Sequence, residues 1–331
     1  MLRSIDPTTG ETVRDYPEAT PAAIGAALDL AERAFQSWRR ESFASRAAVL
    51  RHVAARLRAR AADDAVTMAV EMGKPVAQGR AESEKCAWTC EFIAEHGEAM
   101  LASQDAPSDA SLSYVTFQPL GVILAVMPWN FPFWQVFRFA GPALMAGNAC
   151  VLKHASNVSG CSLAIESIFR EAGLPAGLFT TLLVPGSAVE PIIEMPQIRA
   201  VTLTGSAPAG RAVAAVAGRE LKKTVLELGG SDPYVVLEDA DLDVAAEICA
   251  TSRLINAGQS CIAAKRFIVV EPVREAFTKR FVAAMRSKRW GNPLAEGADA
   301  PDLGPMARHD LRDELHRQVQ VSVDRGARLL L

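Results

Sequence analysis

Short apolar runs alternate with helical segments between residues 121 and 228. The apolar runs cover residues 122–127, 149–153, 179–184, 200–204 and 224–228. Continuous apolar runs are typical of strands that are buried on both faces, and the helical segments between them favour parallel pairing. The pattern therefore predicts an α/β fold with a doubly wound parallel sheet of the kind that binds a nucleotide.

The residues before this sheet are predicted to be mainly helical. After Pro21, apolar side chains repeat at the spacing of one helix face, namely Ile24, Leu28, Ala31, Phe35 and Trp38. A second helix is predicted at residues 45–60. A third is predicted to end at Gly73, because Gly73 is followed by Pro75, and a fourth is predicted at residues 76–102. Residues 112–117 alternate between apolar and polar side chains, which predicts an exposed edge strand.

The alternation starts again after Gly229 and Gly230. Strands are predicted at residues 234–237, 266–271 and 327–331. One helix is predicted to begin after a cap at residues 239–241, and two more are predicted at residues 273–288 and 308–325. We therefore predict two domains. Residues 1–228 form the helices and the dinucleotide-binding domain, and residues 229–331 belong to a second α/β domain.

Composition excludes several classes of protein. The chain has 331 residues, 50% of them hydrophobic, and a net charge of −3. That length supports a large core, and the near-neutral charge argues against a nucleic-acid partner. The most apolar run, residues 121–127, is too short to cross a membrane, so no membrane partner is expected.

The six cysteines (Cys86, Cys90, Cys150, Cys161, Cys249 and Cys261) show no spacing that suits a metal ion, so no metal site is predicted. Free thiols suit a reducing compartment, which favours a cytoplasmic location. Cys86 and Cys90 are expected to share a packed helix face.

Cys261 differs from the other cysteines because of its setting. A lone cysteine is usually a small core side chain, but Gly258-Gln259-Ser260 before it is polar and prone to turns. Glu227 ends an apolar run just before Gly229 and Gly230, where an unpaired buried carboxylate would be costly. A thiolate and a carboxylate in one pocket can carry out acyl chemistry, so both residues are catalytic candidates.

The stretches "LELGG" around Glu227 and "GQSC" at Cys261 resemble the aldehyde dehydrogenase superfamily, and the succinate-semialdehyde dehydrogenase branch is the most similar one. The resemblance covers nearly the whole chain. It implies oxidation of a small aldehyde through a thiohemiacetal and a thioester on Cys261, with Glu227 activating water. It assigns Asn130 to the oxyanion hole, where the alternative from the residues alone is a turn asparagine held between prolines. It also implies a homo-oligomer, with residues 111–120 as an oligomerisation-type strand.

The resemblance also implies a nicotinamide cofactor, NAD or NADP. Trp129, Lys153, Gly205 and Ser206 match cofactor-contacting positions. From spacing alone, Lys153 would be a surface lysine at a strand end, and Gly205 would begin one of many glycine-rich turns. Many relatives have a glutamate where this chain has Ser156. A carboxylate there would repel a 2′-phosphate, so its absence leaves NADP open as the cofactor.

Arg138 matches a position at which relatives grip the distal carboxylate of a semialdehyde. The alternative is a helix arginine paired with an acidic neighbour. Some relatives have a second arginine where this chain has Ile255, and Arg253 is shifted by two positions, which weakens the assignment to succinate semialdehyde. Lys265 and Arg266 are interpreted as strand-edge charges.

The family is normally longer than this chain, and its later "ExFGP"-type segment has no counterpart before Leu331. We therefore expect a C-terminally truncated catalytic domain, in which an active dehydrogenase and an inactive remnant with residual nucleotide binding or an assembly role both remain possible. Assembly as a homo-oligomer is correspondingly doubtful for this chain. A relative that passes the thioester to coenzyme A is a further alternative, against which Glu227 argues.

Overall fold

The computed structural model describes residues 1–331 and divides into two compact units. Unit 1 contains Met1–Ser4, Arg14–Asp64 and Arg80–Glu227, and unit 2 contains Ile5–Val13, Ala65–Gly79 and Leu228–Leu331. The division after Glu227 falls next to the predicted boundary. Two short segments of the first 228 residues, which the sequence analysis assigned to the nucleotide-binding domain, cluster with unit 2.

Eleven strands and ten α-helices make up the chain. The strands are β1 (Leu2–Ile5), β2 (Thr12–Tyr16), β3 (Gln104–Asp105), β4 (Tyr114–Val115), β5 (Val122–Met127), β6 (Ala149–His154), β7 (Phe179–Thr181), β8 (Ile198–Thr204), β9 (Lys223–Glu227), β10 (Asp232–Val236) and β11 (Ala264–Val269). The helices are α1 (Pro21–Trp38), α2 (Phe43–Met72), α3 (Val76–Met100), α4 (Trp134–Met145), α5 (Ser159–Glu171), α6 (Val189–Glu194), α7 (Ala207–Arg219), α8 (Leu242–Leu254), α9 (Glu271–Arg286) and α10 (His309–Asp324).

Unit 1 is built on a five-stranded parallel sheet with the order β7-β6-β5-β8-β9. Strands β5 and β6 are buried almost throughout, as their continuous apolar sequence predicted. The chain runs outward from β5 in one direction through β6 and β7, and then in the other through β8 and β9. Such a change of direction creates a crevice at the carboxyl ends of the strands, where ligands bind in open α/β sheets.

The predicted apolar face of α1 is confirmed. Its buried side chains are Ile24, Leu28, Ala31, Phe35 and Trp38, and Thr20 caps its first turn by accepting a hydrogen bond from the Ala23 N–H. The two helices predicted between residue 45 and Gly73 are one continuous helix, α2. No glycine or proline interrupts residues 43–72, so nothing in the sequence stops the helix at Arg60.

Two strands at the edges of unit 1 differ from their predictions. Strand β4 is limited to Tyr114–Val115, because its partner β3 offers only Gln104–Asp105 for antiparallel pairing. Strand β9 lies at the open edge of the parallel sheet and is mostly exposed, with Val225 at 61% exposure. Burial on both faces therefore holds for the central strands but not for β9.

Unit 2 contains a smaller parallel pair, β10 and β11. Val236, Ala246, Cys249 and Phe277, from β10, α8 and α9, form its core cluster. Asp241 caps α8 by accepting hydrogen bonds from the Asp243 and Val244 N–H groups, as predicted. Residues 327–331 do not form the predicted strand, because no neighbouring strand pairs with their backbone. None of the helices combines the length and the apolar character that a membrane span requires.

Candidate active site

The predicted site residues of unit 1 collect at one edge of its sheet. Trp129 and Asn130 follow the end of β5, and Lys153 precedes the last residue of β6. Gly205 and Ser206 follow β8, and Glu227 ends β9. Because the strands are parallel, these positions all lie at the carboxyl edge, which is the ligand-binding edge of such sheets.

Asn130 lies half-buried in the loop between β5 and α4. Its side-chain oxygen Oδ1 accepts a hydrogen bond from the backbone N–H of Phe131 at 3.1 Å. An amide that accepts through Oδ1 presents its N–H donors through Nδ2. This geometry suits an amide that donates to an oxyanion.

Two buried side chains that the sequence analysis did not single out hold the same loop. Glu82 on α3 is only 5% exposed, and its carboxylate accepts hydrogen bonds from the backbone N–H groups of Phe133 and Trp134, both at 2.9 Å. These are donors at the start of α4 that the helix itself cannot satisfy. Glu82 therefore fixes where the loop that carries Asn130 enters the helix.

His154, at the end of β6, supplies the second anchor. Its Nδ1 accepts a hydrogen bond from the Ala155 N–H at 2.9 Å, so the proton sits on Nε2, which donates to the carbonyl oxygen of Pro132 at 2.8 Å. Burial lowers the pKa of His154 to about 4, so the imidazole is neutral at neutral pH. Only its position next to Lys153 at a strand end could have drawn attention to it in the sequence.

Lys153 is buried, with 8% exposure, and the surface alternative for it is wrong. Burial lowers the pKa of its ammonium group. Lys153 lines a cavity of about 310 Å³ together with Gly186, Ser187 and Glu190, and apolar side chains complete the walls (Val126, Val189, Ile193, Leu203, Val213 and Val216). Apolar walls with one buried amine suit a flat base joined to a hydroxylated sugar.

Ser206 begins α7 as its capping residue. Its Oγ accepts a hydrogen bond from the Ala209 N–H at 3.4 Å, and the helix N-terminus favours a negatively charged group. The Gly205 N–H donates to the backbone oxygen of Glu227 at 2.9 Å, which ties the turn to the end of β9. Ser156 opens a short 3₁₀ helix after β6, and its carbonyl accepts a hydrogen bond from the Ser159 hydroxyl at 2.9 Å.

Arg138 and Glu227 form an ion pair, with 3.2 Å between Nη2 and Oε2. The cost that an unpaired, buried carboxylate would carry does not arise at Glu227. Its side chain is 52% exposed, because β9 is an edge strand, and its partner is an arginine. Both residues line a cavity of about 580 Å³, whose walls are mostly apolar and include Ile123, Met127, Phe139, Pro142, Val201 and Val225.

Cys261 belongs to unit 2 and follows a strained loop. Asn256 and Ala257 have φ values of 54°, and Gly258 has a φ of 76°, so three consecutive residues are left-handed. This conformation costs free energy for alanine and is typical of functional loops. Cys261 is partly exposed, whereas the other five cysteines are buried. The loop placement predicted for Cys261 and the packing predicted for Cys86 and Cys90 agree with these positions.

Lys265 is not a strand-edge charge. Although it lies in β11, its ammonium group turns back to the Cys261 loop and donates to the carbonyl oxygens of Ser260, Cys261 and Ala263 at 3.1, 2.9 and 3.2 Å. Arg266 next to it is exposed and donates to the backbone oxygen of Ser231 at 2.8 Å. Arg253 donates to the backbone oxygen of Ala264 at 3.4 Å, so it too supports the strand that follows the loop.

The sequence profile of the aldehyde dehydrogenase family matches residues 1–331. The chain belongs to this family. The family predicted from "LELGG" and "GQSC", and with it the class of enzyme, is therefore confirmed. Among aldehyde dehydrogenases of known sequence, a probable NADP(+) succinate-semialdehyde dehydrogenase of Synechocystis is 49% identical over 326 residues, which cover 98% of this chain and 71% of the relative.

Other family members are also similar to this chain in sequence or in structure. The Escherichia coli NAD(P)+ succinate semialdehyde dehydrogenase Sad is 48% identical over 328 residues, covering 99% of this chain and 70% of the relative. The crystal structure of succinic semialdehyde dehydrogenase from Streptococcus pyogenes, in complex with NADP+, is 33% identical and superposes with a TM-score of 0.95. That match covers 98% of this aldehyde dehydrogenase chain and 71% of the other, and it confirms the predicted α/β fold.

Proposed function

We propose that this aldehyde dehydrogenase oxidises a small aldehyde that bears a carboxylate, with succinate semialdehyde as the first candidate, to the corresponding acid. The observation that carries the proposal is the Arg138–Glu227 contact of 3.2 Å beside a cavity. The guanidinium is already placed to hold a carboxylate, and guanidinium–carboxylate pairs are strong and directional. The names of the two bacterial relatives, both succinate-semialdehyde dehydrogenases, support the same substrate.

The cofactor that we propose is NAD or NADP, in line with the names of these relatives. Lys153, the Ser187 region and the start of α7 would hold it, because they combine a buried amine, small side chains and a helix N-terminus. Ser156 puts no carboxylate near the ribose, which supports the use of NADP as well as NAD. When bound, the cofactor supplies the acceptor for the two electrons and the hydrogen that leave the aldehyde carbon.

Cys261 is the proposed nucleophile. Its thiolate adds to the aldehyde carbon and gives a thiohemiacetal, and oxidation of that adduct leaves a thioester on the sulfur. Cys261 suits this role because it is the one cysteine with an exposed surface and lies on a strained loop instead of a packed face.

Asn130 and the backbone N–H of Cys261 are the proposed donors to the oxyanion that forms on the attacked carbon. The Asn130 amide is oriented by its own Oδ1 contact, and its loop is held by Glu82 and His154. Pre-oriented donors of this type stabilise the charge that develops in the transition state, and removal of one donor costs about 10²–10³ in kcat.

Glu227 is the proposed general base that activates water for hydrolysis of the thioester. Its carboxylate is exposed, so it can reach a water molecule and accept a proton from it. A resident base of this kind favours hydrolysis over transfer of the acyl group to coenzyme A.

Rapid mixing of the 331-residue protein with succinate semialdehyde and either NAD or NADP tests this function. We expect a burst of NAD(P)H absorbance that disappears in Cys261→Ala. A burst that survives in Cys261→Ala would contradict the assignment of the nucleophile. A flat trace from folded wild-type protein would contradict the proposed activity of this chain.

A further inference from the structure

The ammonium group of Lys265 is fully used by the loop that carries Cys261. A lysine ammonium has three N–H donors and no acceptor. The three donors meet the carbonyl oxygens of Ser260, Cys261 and Ala263 at 2.9–3.2 Å. No donor is left for a substrate or for proton transfer, so the contribution of Lys265 must come through the shape of the loop.

The contact with Ser260 fixes the direction of a group that the reaction uses. A trans peptide is planar, and its C=O and N–H bonds point in opposite directions. The carbonyl of Ser260 and the N–H of Cys261 belong to one such peptide. Because the ammonium holds the Ser260 oxygen, the Cys261 N–H points away from Lys265.

We propose that Lys265 is a positioning residue that aims the Cys261 backbone N–H at the oxyanion of the attacked carbonyl. This inference rests on the proposed function, in which that N–H is the second oxyanion donor beside Asn130. Lys265 itself touches neither the aldehyde nor the cofactor in this assignment.

The loop needs a cation at this point. Three carbonyl oxygens, each with a partial negative charge, converge on one position, and without the ammonium they would repel one another. The preceding residues Asn256 and Ala257 are left-handed and add strain of their own. A strained conformation persists only where its surroundings over-determine it. Hydrogen bonds between Asn256 and Gln259 restrain the start of the loop, and the three contacts of Lys265 restrain residues 260–263, which follow it.

Two reagents distinguish an effect on the direction of the Cys261 backbone N–H from an effect on the reactivity of the Cys261 thiol. Iodoacetamide alkylates a thiolate by displacing iodide, and no oxyanion forms. p-Nitrophenyl acetate is attacked at its carbonyl carbon, passes through an oxyanion, and leaves a thioester with release of p-nitrophenolate. Five cysteines are buried, so both reagents report on Cys261, with Cys261→Ala as the blank.

The variants are Lys265→Met, which keeps the length of the side chain without its charge, and Lys265→Arg, which keeps the charge. We expect acylation to slow by about tenfold to a hundredfold in Lys265→Met, while alkylation changes by less than about threefold. Lys265→Arg should not restore acylation, because a planar guanidinium cannot place three donors around one point as an ammonium does. The Lys265→Arg variant also keeps a cation among the three carbonyl oxygens, so it serves as the test if Lys265→Met does not fold. The matched control is Arg266→Met, one residue along the strand, which should react as wild type with both reagents.

Each other outcome overturns the inference in a distinguishable way. Wild-type acylation rates in both Lys265 variants would overturn the positioning role and leave the proposed function intact. An equal loss of acylation and alkylation would show that Lys265 only maintains the loop. A wild-type protein that is alkylated but not acylated would overturn the oxyanion site, and with it both the inference and the proposed function.

Discussion

The Nη2 atom of Arg138 lies 3.2 Å from the Oε2 atom of Glu227, so the proposed substrate-binding cation is paired with the proposed general base. Of the two alternatives for Arg138, this contact shows the arginine paired with an acidic neighbour, and binding of a substrate carboxylate stays a prediction. A helix arginine does have an acidic neighbour, and that neighbour is the residue expected to activate water. An incoming substrate carboxylate would compete with Glu227 for the same guanidinium.

Glu227→Gln should keep the first turnover and block the later ones. The amide cannot take a proton from water, so the thioester forms but is hydrolysed slowly. Steady-state turnover should fall by about 10²–10³, within the range for loss of a general base. The measurement is the ratio of burst amplitude to steady-state rate in rapid mixing, with Cys261→Ala as the variant that has no burst. Loss of the burst in Glu227→Gln would mean that the carboxylate also acts before acylation.

Arg138→Gln should discriminate between aldehydes. With succinate semialdehyde, kcat/KM should fall by about tenfold to a hundredfold, because a charged pair with the distal carboxylate is lost. With butanal, which has no carboxylate, the change should stay below about threefold. The comparison of the two aldehydes on one variant is its own control. An equal loss for both would indicate that Arg138 acts through Glu227 and not on the substrate.

His154→Gln should weaken the dependence of stability on pH. The pKa of His154 is lowered by burial to about 4, below its value in the unfolded chain, so the unfolded state takes up a proton first as pH falls. The contribution of His154 to stability is therefore complete above about pH 6.5 and is lost as pH falls toward 4, by about 2 kcal/mol between about pH 7 and pH 5. Glutamine can make similar hydrogen bonds but does not titrate.

Urea unfolding of wild type and His154→Gln at both pH values measures this difference. Subtraction of the two proteins removes the contributions of other groups. Asp64 is one of them, because burial raises its pKa to about 6, and its effect on stability has the opposite sign. A difference between the two proteins that does not change with pH would contradict the burial of a neutral imidazole.

Leu221→Gly should stabilise the fold. Leu221 follows α7 with a φ of 54° and is 94% exposed, while the Lys222 N–H closes the helix end on the oxygen of Ala217 at 2.8 Å. A side chain with a Cβ is strained in this left-handed position, which glycine adopts without penalty. We expect a gain of about 0.5–1 kcal/mol in the free energy of unfolding. Leu221→Ala, which removes the same exposed side chain but keeps the Cβ, should show little gain.

The sequence predicted the elements whose pattern is local. The face of α1 and strand β5 follow directly from their apolar spacing, and the motifs around Glu227 and Cys261 identify the family. Contacts between distant parts of the chain could not be foreseen, such as those of Glu82 with the start of α4. Pairing also decided where strands end, since β4 is limited by a short partner and residues 327–331 have none.

Lys265 shows why the site itself was only partly predictable. Its place after Cys261 in a strand suggests an edge charge, and the strand assignment is correct. The side chain meets three carbonyls of a loop that begins with left-handed backbone at Asn256, Ala257 and Gly258. Asparagine and glycine tolerate that conformation, but alanine gives no sign of it in a sequence.

The burial of five of the six cysteines also determines how the protein responds to oxidants. Peroxide in solution reaches one thiol, that of Cys261, and converts it to a sulfenic acid. No second exposed cysteine is present to close a disulfide with it, so repair depends on a small external thiol such as glutathione. Without that thiol, oxidation continues to the sulfinic acid, which such thiols do not reverse. Oxidative loss of the proposed activity is thus a single-site event that a reducing environment can prevent.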